Sequence, residues 1–134
     1  MAVDGVKNLD NYCDFGEDNT RISRYLQVDL GTLCDIEAVN MWRYWGDGRS
    51  YGDTVIAVAD KEEDFAAGKA TIIFNADEAN IHGLGAGEDA DYAETSEGKA
   101  FAAPEGTTGR FVRVYTYGVS GGGTTNHIVE LEVM

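Results

Sequence analysis

Apolar and polar residues alternate in several short stretches of this chain, a period of two that marks half-buried strands. Over residues 25–31 the alternation puts Leu26, Val28 and Leu30 on one face and Gln27 and Asp29 on the other. Residues 36–42 follow the same rule, with Val39 and Met41 on one side; the brevity of the run and the glycines after it disfavour a helix. Further strands are predicted over 54–59, 71–74, 111–117 and 128–133. In the last of these Val129, Leu131 and Val133 alternate with Glu130 and Glu132, so one face should be dry and the other should carry carboxylates. One helical turn is predicted, over 61–67, ending at Gly68. Seventeen glycines and a single proline spread between the apolar runs imply many turns and few long elements. The implied architecture is all-β, a two-sheet sandwich or barrel forming one domain over residues 1–134. Residues 75–98 carry Asp77, Glu78, Glu88, Asp89, Asp91, Glu94 and Glu97 with no Lys or Arg. A connection of that length is expected to be functional or mobile.

Composition narrows the classes. With 43% hydrophobic and 25% charged residues the chain is in the normal globular range, which excludes a disordered or collagenous polymer. The apolar runs are shorter than the roughly 20 residues a membrane helix needs, and the first residues show no basic-then-apolar leader. Ten Lys and Arg against 24 Asp and Glu give a net charge of −14, which repels nucleic acid and anionic membrane surfaces. Cys13 and Cys34 fit neither a zinc site nor a redox pair, so two reduced, buried thiols are expected ahead of a bridge.

The densest polar-aromatic cluster is residues 42–53, which holds Trp42, Arg43, Tyr44, Trp45, Asp47, Arg49, Tyr51 and Asp53. Aromatic faces pack on the C–H face of a sugar ring, while Arg supplies a rigid donor fork and Asp and Asn the acceptors its hydroxyls need. The plainer alternative is that Trp42 or Trp45 is core and that Arg49 pairs with Asp47 or Asp53 at the surface. A second candidate is the glycine-rich loop at 117–127, which leads into a strand and holds no lysine, unlike a phosphate cradle. Gly83, Gly85 and Gly87 fail the same test amid acids that repel phosphate. Asp4 near the start and Glu130 in the closing strand are hard oxygen ligands of the kind calcium takes, although the EF-hand pattern is absent. Of imidazole bases there are His82 and His127; neither belongs to a His-Glu-x-x-His motif, and no Gly-x-Ser-x-Gly elbow occurs. Catalysis therefore has little to build on, and a non-catalytic domain is expected.

Residues 2–5, 25–31, 36–42, 109–115 and 126–133 together resemble discoidin (coagulation factor 5/8 C-terminal type) domains, most closely the bacterial members classed as family 32 carbohydrate-binding modules. The resemblance runs over nearly the whole chain and implies a jelly-roll β-sandwich of about eight antiparallel strands. It also implies non-catalytic binding of terminal sugars by loops at one end, in a module of a larger secreted or cell-surface protein. By position it nominates Asp14, Arg43, Tyr44, Arg49, Tyr51, Tyr117, Asn126 and His127 for the sugar. It further implies a structural calcium ion held by Asp4 and Glu130 with carbonyls of Val6 and Leu9. Among the departures from the family pattern, Leu9 replaces a frequent Thr, removing a hydroxyl ligand, and Arg43 stands where relatives often have His. Two rivals remain in view. An adhesion module using the same loops on a protein partner would expose a contiguous apolar patch rather than one or two rimmed aromatics. A small hydrolase would need facing carboxylates ~5–10 Å apart across a cleft.

Overall fold

A computed structural model of the chain describes residues 3–7, 9–10, 12–14, 22–119 and 126–134, with Asp14 described by its backbone. The glycine-rich segment 120–125 lies outside the described residues. Nine strands and one short helix are formed among them: β1 (Cys13–Asp14), β2 (Arg24–Asp35), β3 (Ala38–Trp42), β4 (Val55–Ala59), α1 (Glu63–Ala66), β5 (Thr71–Asn75), β6 (Lys99–Ala102), β7 (Thr108–Thr116), β8 (His127–Ile128) and β9 (Glu130–Val133). Every pairing is antiparallel. One sheet has the order β2-β7-β4-β5, a second β6-β3-β9, and β1 pairs with β8.

The alternation read from the sequence explains how the sheets close. Ile56, Val58, Val112 and Val114 of the four-stranded sheet meet Val39, Met41, Phe101 and Leu131 of the three-stranded sheet in one core, with Leu26, Val28 and Leu30 packed at its margin. Val39, Ile56, Val58, Val112 and Val114 are fully buried. Each such side chain contributes about 1.5–3 kcal/mol of transfer free energy. The opposite face of the larger sheet carries a second, smaller cluster in which Phe65 of α1 and Leu84 cover Val55, Ala57, Ala59, Phe111 and Tyr115.

Several elements depart from expectation, each for a physical reason. Strand β2 runs on past Gly31 because a bulge between Asp29 and Cys34 restores pairing at Cys34↔Gly109 and Asp35↔Thr108. Gly31 takes φ +84 at that bulge, and its N–H donates to Asp29 Oδ1 at 2.8 Å. Strand β6 was not read at all; three of its four residues are exposed, and pairing with β3 alone orders it. The closing strand is interrupted at Val129, which lets Ile128 and Val129 both turn inward. Glu130, expected to face water, is 2% exposed, while Glu132 meets Lys7 at 2.6 Å. Both cysteine thiols are free and half-buried.

The long acidic connection is tied down by its own side chains. The Asp77 carboxylate accepts the N–H of Ile81 and of His82, both at 2.9 Å, and Asn75 Nδ2 donates to the Gly85 carbonyl at 3.0 Å. Its acids act partly as backbone caps, which is why like charges crowd there. No helix of the described residues is long and apolar enough to cross a membrane.

Candidate functional site at the loop end

Strands β3 and β7 end, and β2, β4 and β8 begin, at the same end of the sandwich. The connection 43–54, residues 117–119 and 126, and Tyr12 before β1 therefore converge there. Pairing of Asp14 with His127 draws the first strand onto the eighth and places Tyr12 over the His127 ring, 4.4 Å between centroids and 30° between planes. Tyr44 meets both rings edge-on, at 6.0 Å from Tyr12 and 5.8 Å from His127. The Arg49 guanidinium lies 4.7 Å above the Tyr44 ring. It is held by a two-pronged contact with Asp47, Nε to Oδ1 at 2.9 Å and Nη2 to Oδ2 at 2.7 Å. That pair lowers the Asp47 carboxyl to about 2 and raises Arg49, so both stay charged at any physiological pH. Gly46 lets the chain pass beneath: a Cβ there would stand 3.2 Å from the Tyr44 ring and 3.1 Å from Leu9 Cδ1.

Beneath this surface lies a buried polar layer. Arg43 is 1% exposed and joins the two sheets, donating to the His127 carbonyl (3.0 Å), Thr54 Oγ1 (3.3 Å) and Thr116 Oγ1 (3.0 Å). Its guanidinium stacks on the Tyr51 ring at 3.6 Å. Asn126, also 1% exposed, accepts from the Thr116 hydroxyl at 2.7 Å and the Gly118 N–H at 2.8 Å, fixing where the second loop leaves β7. Tyr51 is 3% exposed and bridges to Val119. Glu94 is buried against the same layer, and its N–H donates to the Arg49 carbonyl at 2.9 Å. Burial pushes its carboxyl up to about 7, against the pull of Arg43.

Of the eight residues nominated for the ligand, the structure gathers Tyr44, Arg49 and His127 at the surface. Arg43, Tyr51 and Asn126 are corrected from ligand contacts to internal supports: all three are buried, Arg43 and Asn126 bonding inside and Tyr51 offering its ring to Arg43. Tyr117 is half-buried where β7 leads into its loop, and Asp14 pairs with His127 through its backbone. Trp42, part of the aromatic run, does not join the cluster; it is packed between the Lys7 ammonium, 4.2 Å from its ring, and Gly98. The plainer expectation for Arg49, pairing with Asp47, holds, and the pair is itself part of the surface. Tyr12 was missed. Nothing local marks it, since it becomes a site residue through the β1–β8 pairing of the two chain ends.

Of the residues nominated for a metal, Asp4, Val6 and Glu130 meet at one turn. Glu130 Oε2 accepts the N–H of Asp4 (3.1 Å) and of Gly5 (3.0 Å), and Asp4 Oδ1 accepts the N–H of Val6 at 3.0 Å. Desolvation and the neighbouring Asp4 carboxylate raise the Glu130 carboxyl, despite those two amide donors. Two crowded carboxylates at a turn fit a hard, oxygen-seeking cation. Leu9 packs its side chain toward Gly46, so any ligand it contributes is a backbone carbonyl. Among the described residues no group of three His, Cys, Asp or Glu converges on one point.

Two antiparallel sheets packed face to face, with aromatic and charged loops gathered at one end, make this a jelly-roll β-sandwich of the kind found in family 32 carbohydrate-binding modules. Solved structures of that class are among those it is similar to. One is the family 32 module of AlyQ in complex with 4,5-unsaturated mannuronic acid, at 21% identity and a TM-score of 0.69 over 99% of this chain and 82% of that one. A longer AlyQ structure with carbohydrate-binding and alginate lyase domains matches at 21% identity and a TM-score of 0.69 over 98% of this chain, which spans 27% of that protein. The family 32 module of Clostridium perfringens NanJ in complex with galactose matches at 13% identity and a TM-score of 0.66, over 98% of this chain and 80% of that one. No family model matches the sequence. No curated protein matches it either.

Proposed function

We propose that this chain is a non-catalytic carbohydrate-binding module that grips one or two terminal sugar residues at the loop end and so holds an attached extracellular enzyme or surface protein on its glycan. The observation that carries the reading is the cluster of Tyr12, Tyr44 and His127 beside the Arg49–Asp47 pair. A sugar ring lays its C–H face on these rings, and its hydroxyls bond to the fixed fork and to the exposed Asp47 carboxylate. Within the cluster of Tyr12, Tyr44 and His127 the exposed ring is that of Tyr12, beside the polar Arg49–Asp47 pair, which favours a sugar over a protein partner. The AlyQ and NanJ modules with this fold bind sugars according to their structures, which points the same way. A shallow site of this kind supports dissociation constants in the μM to mM range, about −4 to −8 kcal/mol. The net charge of −14 favours neutral or amino sugars over polyanionic chains at long range.

Asp4 and Glu130, with carbonyls of Val6 and Leu9, would hold a structural calcium ion, which supplies charge to offset the two carboxylates and staples the first turn to the last strand. Glycan-array screening with and without chelator, followed by calorimetry on Tyr44→Ala and Arg49→Ala, tests the reading. Both variants should fold and lose binding; unchanged binding in both rejects the loop-end site. Calcium should raise the melting temperature of the wild type and leave Glu130→Gln unmoved.

A further inference from the structure

We infer that the outer face of the four-stranded sheet carries a second ligand site, a groove that takes a single pyranose ring bearing a carboxylate. Along β7, Val112 and Val114 point into the sandwich core, so Arg113 and Tyr115 stand on the opposite face; from β2, Tyr25 and Gln27 stand beside them. The helix α1 covers one side of this face with Phe65, and the acidic connection covers another with His82 and Leu84. Between them a groove of about 300 Å³ remains open, at the lower end of the range for small-molecule sites. Tyr115 forms its floor and Tyr25, half exposed, its wall, with 5.3 Å between the two ring centroids.

The chemistry of the lining selects the occupant. Among the described residues no carboxylate lines this groove, whereas Arg113 does. The guanidinium lies 4.1 Å from the centroids of both Tyr25 and Phe65, which holds it flat. Among the described residues its two bonds run to neutral oxygens, Nε to Gln27 Oε1 at 2.7 Å and Nη1 to the Tyr115 hydroxyl at 3.1 Å, and it forms no ion pair; Glu62 approaches only through Gln27, whose Nε2 donates to Glu62 Oε1 at 3.4 Å. On the other side His82 Nε2 lies 2.8 Å from the Asp53 carbonyl, which can only accept, so Nε2 carries the proton. Nδ1 then accepts from the Ser23 hydroxyl at 2.6 Å, and the Ser23 oxygen keeps lone pairs for an incoming hydroxyl. An aromatic floor, a fixed cation and a hydroxyl acceptor match the C–H face, carboxylate and ring hydroxyls of a uronate. The overall negative charge does not oppose this at contact range, because exposed charges beyond about 8 Å are screened at physiological salt.

The site stands whether or not the loop end binds sugar, and the test separates the two. Amide ¹⁵N–¹H spectra are recorded during titration with galacturonate, galactose and acetate, each to about 50 mM, a ceiling suited to mM affinity. Galacturonate should move the amides of Tyr25, Gly83, Leu84 and Tyr115 saturably, with galactose and acetate each at least about tenfold weaker. Tyr25→Ala and Arg113→Gln should each weaken the response about tenfold or more, and Tyr44→Ala should leave it unchanged. Tyr25 is half exposed, so its truncation tests the groove even where loss of Arg113 disturbs the sheet. Absence of saturable shifts at these amides overturns the proposal. So does an equal response to acetate, or full retention of the response in folded Tyr25→Ala.

Discussion

Glu94 sits under the Arg49 loop and makes the protein's stability depend on pH in a direction opposite to most acids. The side chain is 5% exposed, and burial carries its carboxyl from 4.5 up to about 7. Between those values the folded protein keeps a proton that the unfolded chain has released, so stability falls as pH rises through that window. A change from 4.5 to about 7, at roughly 1.4 kcal/mol per tenfold, amounts to a loss of about 3 kcal/mol. Glu94→Gln keeps the shape and cannot ionise. Relative to the wild type, the variant should therefore gain about 3 kcal/mol between pH 4.5 and 7.5. His82 acts in the opposite sense: burial lowers its pKa, so the unfolded chain binds the extra proton below 6.5 and stability rises with pH there. That contribution is common to both proteins and cancels in their difference. Urea unfolding followed by far-ultraviolet circular dichroism at intervals across this range gives the difference directly. A constant gap between the two proteins would refute the buried-acid account of Glu94.

Other consequences are equally direct. Arg43→Ala leaves the His127 carbonyl and two threonine hydroxyls without their donor and opens a cavity between the sheets; a loss of about 2–4 kcal/mol in urea unfolding is expected, and an unchanged midpoint would contradict the supporting role. Gly98→Ala sets a Cβ 2.6 Å from the Trp42 ring at φ +71 and should cost about 1–3 kcal/mol, read as a lowered melting temperature with blunted near-ultraviolet dichroism. Asp29 is held at about 2, first by its hydrogen bonds to Arg110 and then by the Gly31 N–H. In Arg110→Ala a carboxyl ¹³C titration should find Asp29 moved back toward the ordinary carboxylate range, and a midpoint still near 2 would assign the shift elsewhere.

The strands that build the sandwich were legible because their information is local. Leu26, Val28 and Leu30, or Val39 and Met41, point one way simply because successive residues of a strand face opposite sides, and that parity needs no knowledge of what lies across the core. The loop richness in rings and arginines around residues 42–51 was legible for the same reason. What each of those side chains does was not. Whether an arginine lies at the surface, as Arg49 does, or carries its charge between two sheets, as Arg43 does, depends on which strands end together. Tyr12 joined the site, Trp42 left it, and Glu130 went from a wet face to a buried acceptor through contacts between the first and last parts of the chain. The sheet-face groove is of the same kind, since Tyr25, Phe65, His82 and Arg113 share no segment. Composition and alternation determined that this chain forms strands with recognition chemistry in its loops. Only chain closure decided which of those groups meet ligand and which hold the others in place, because burial and proximity are properties of pairings far apart in sequence.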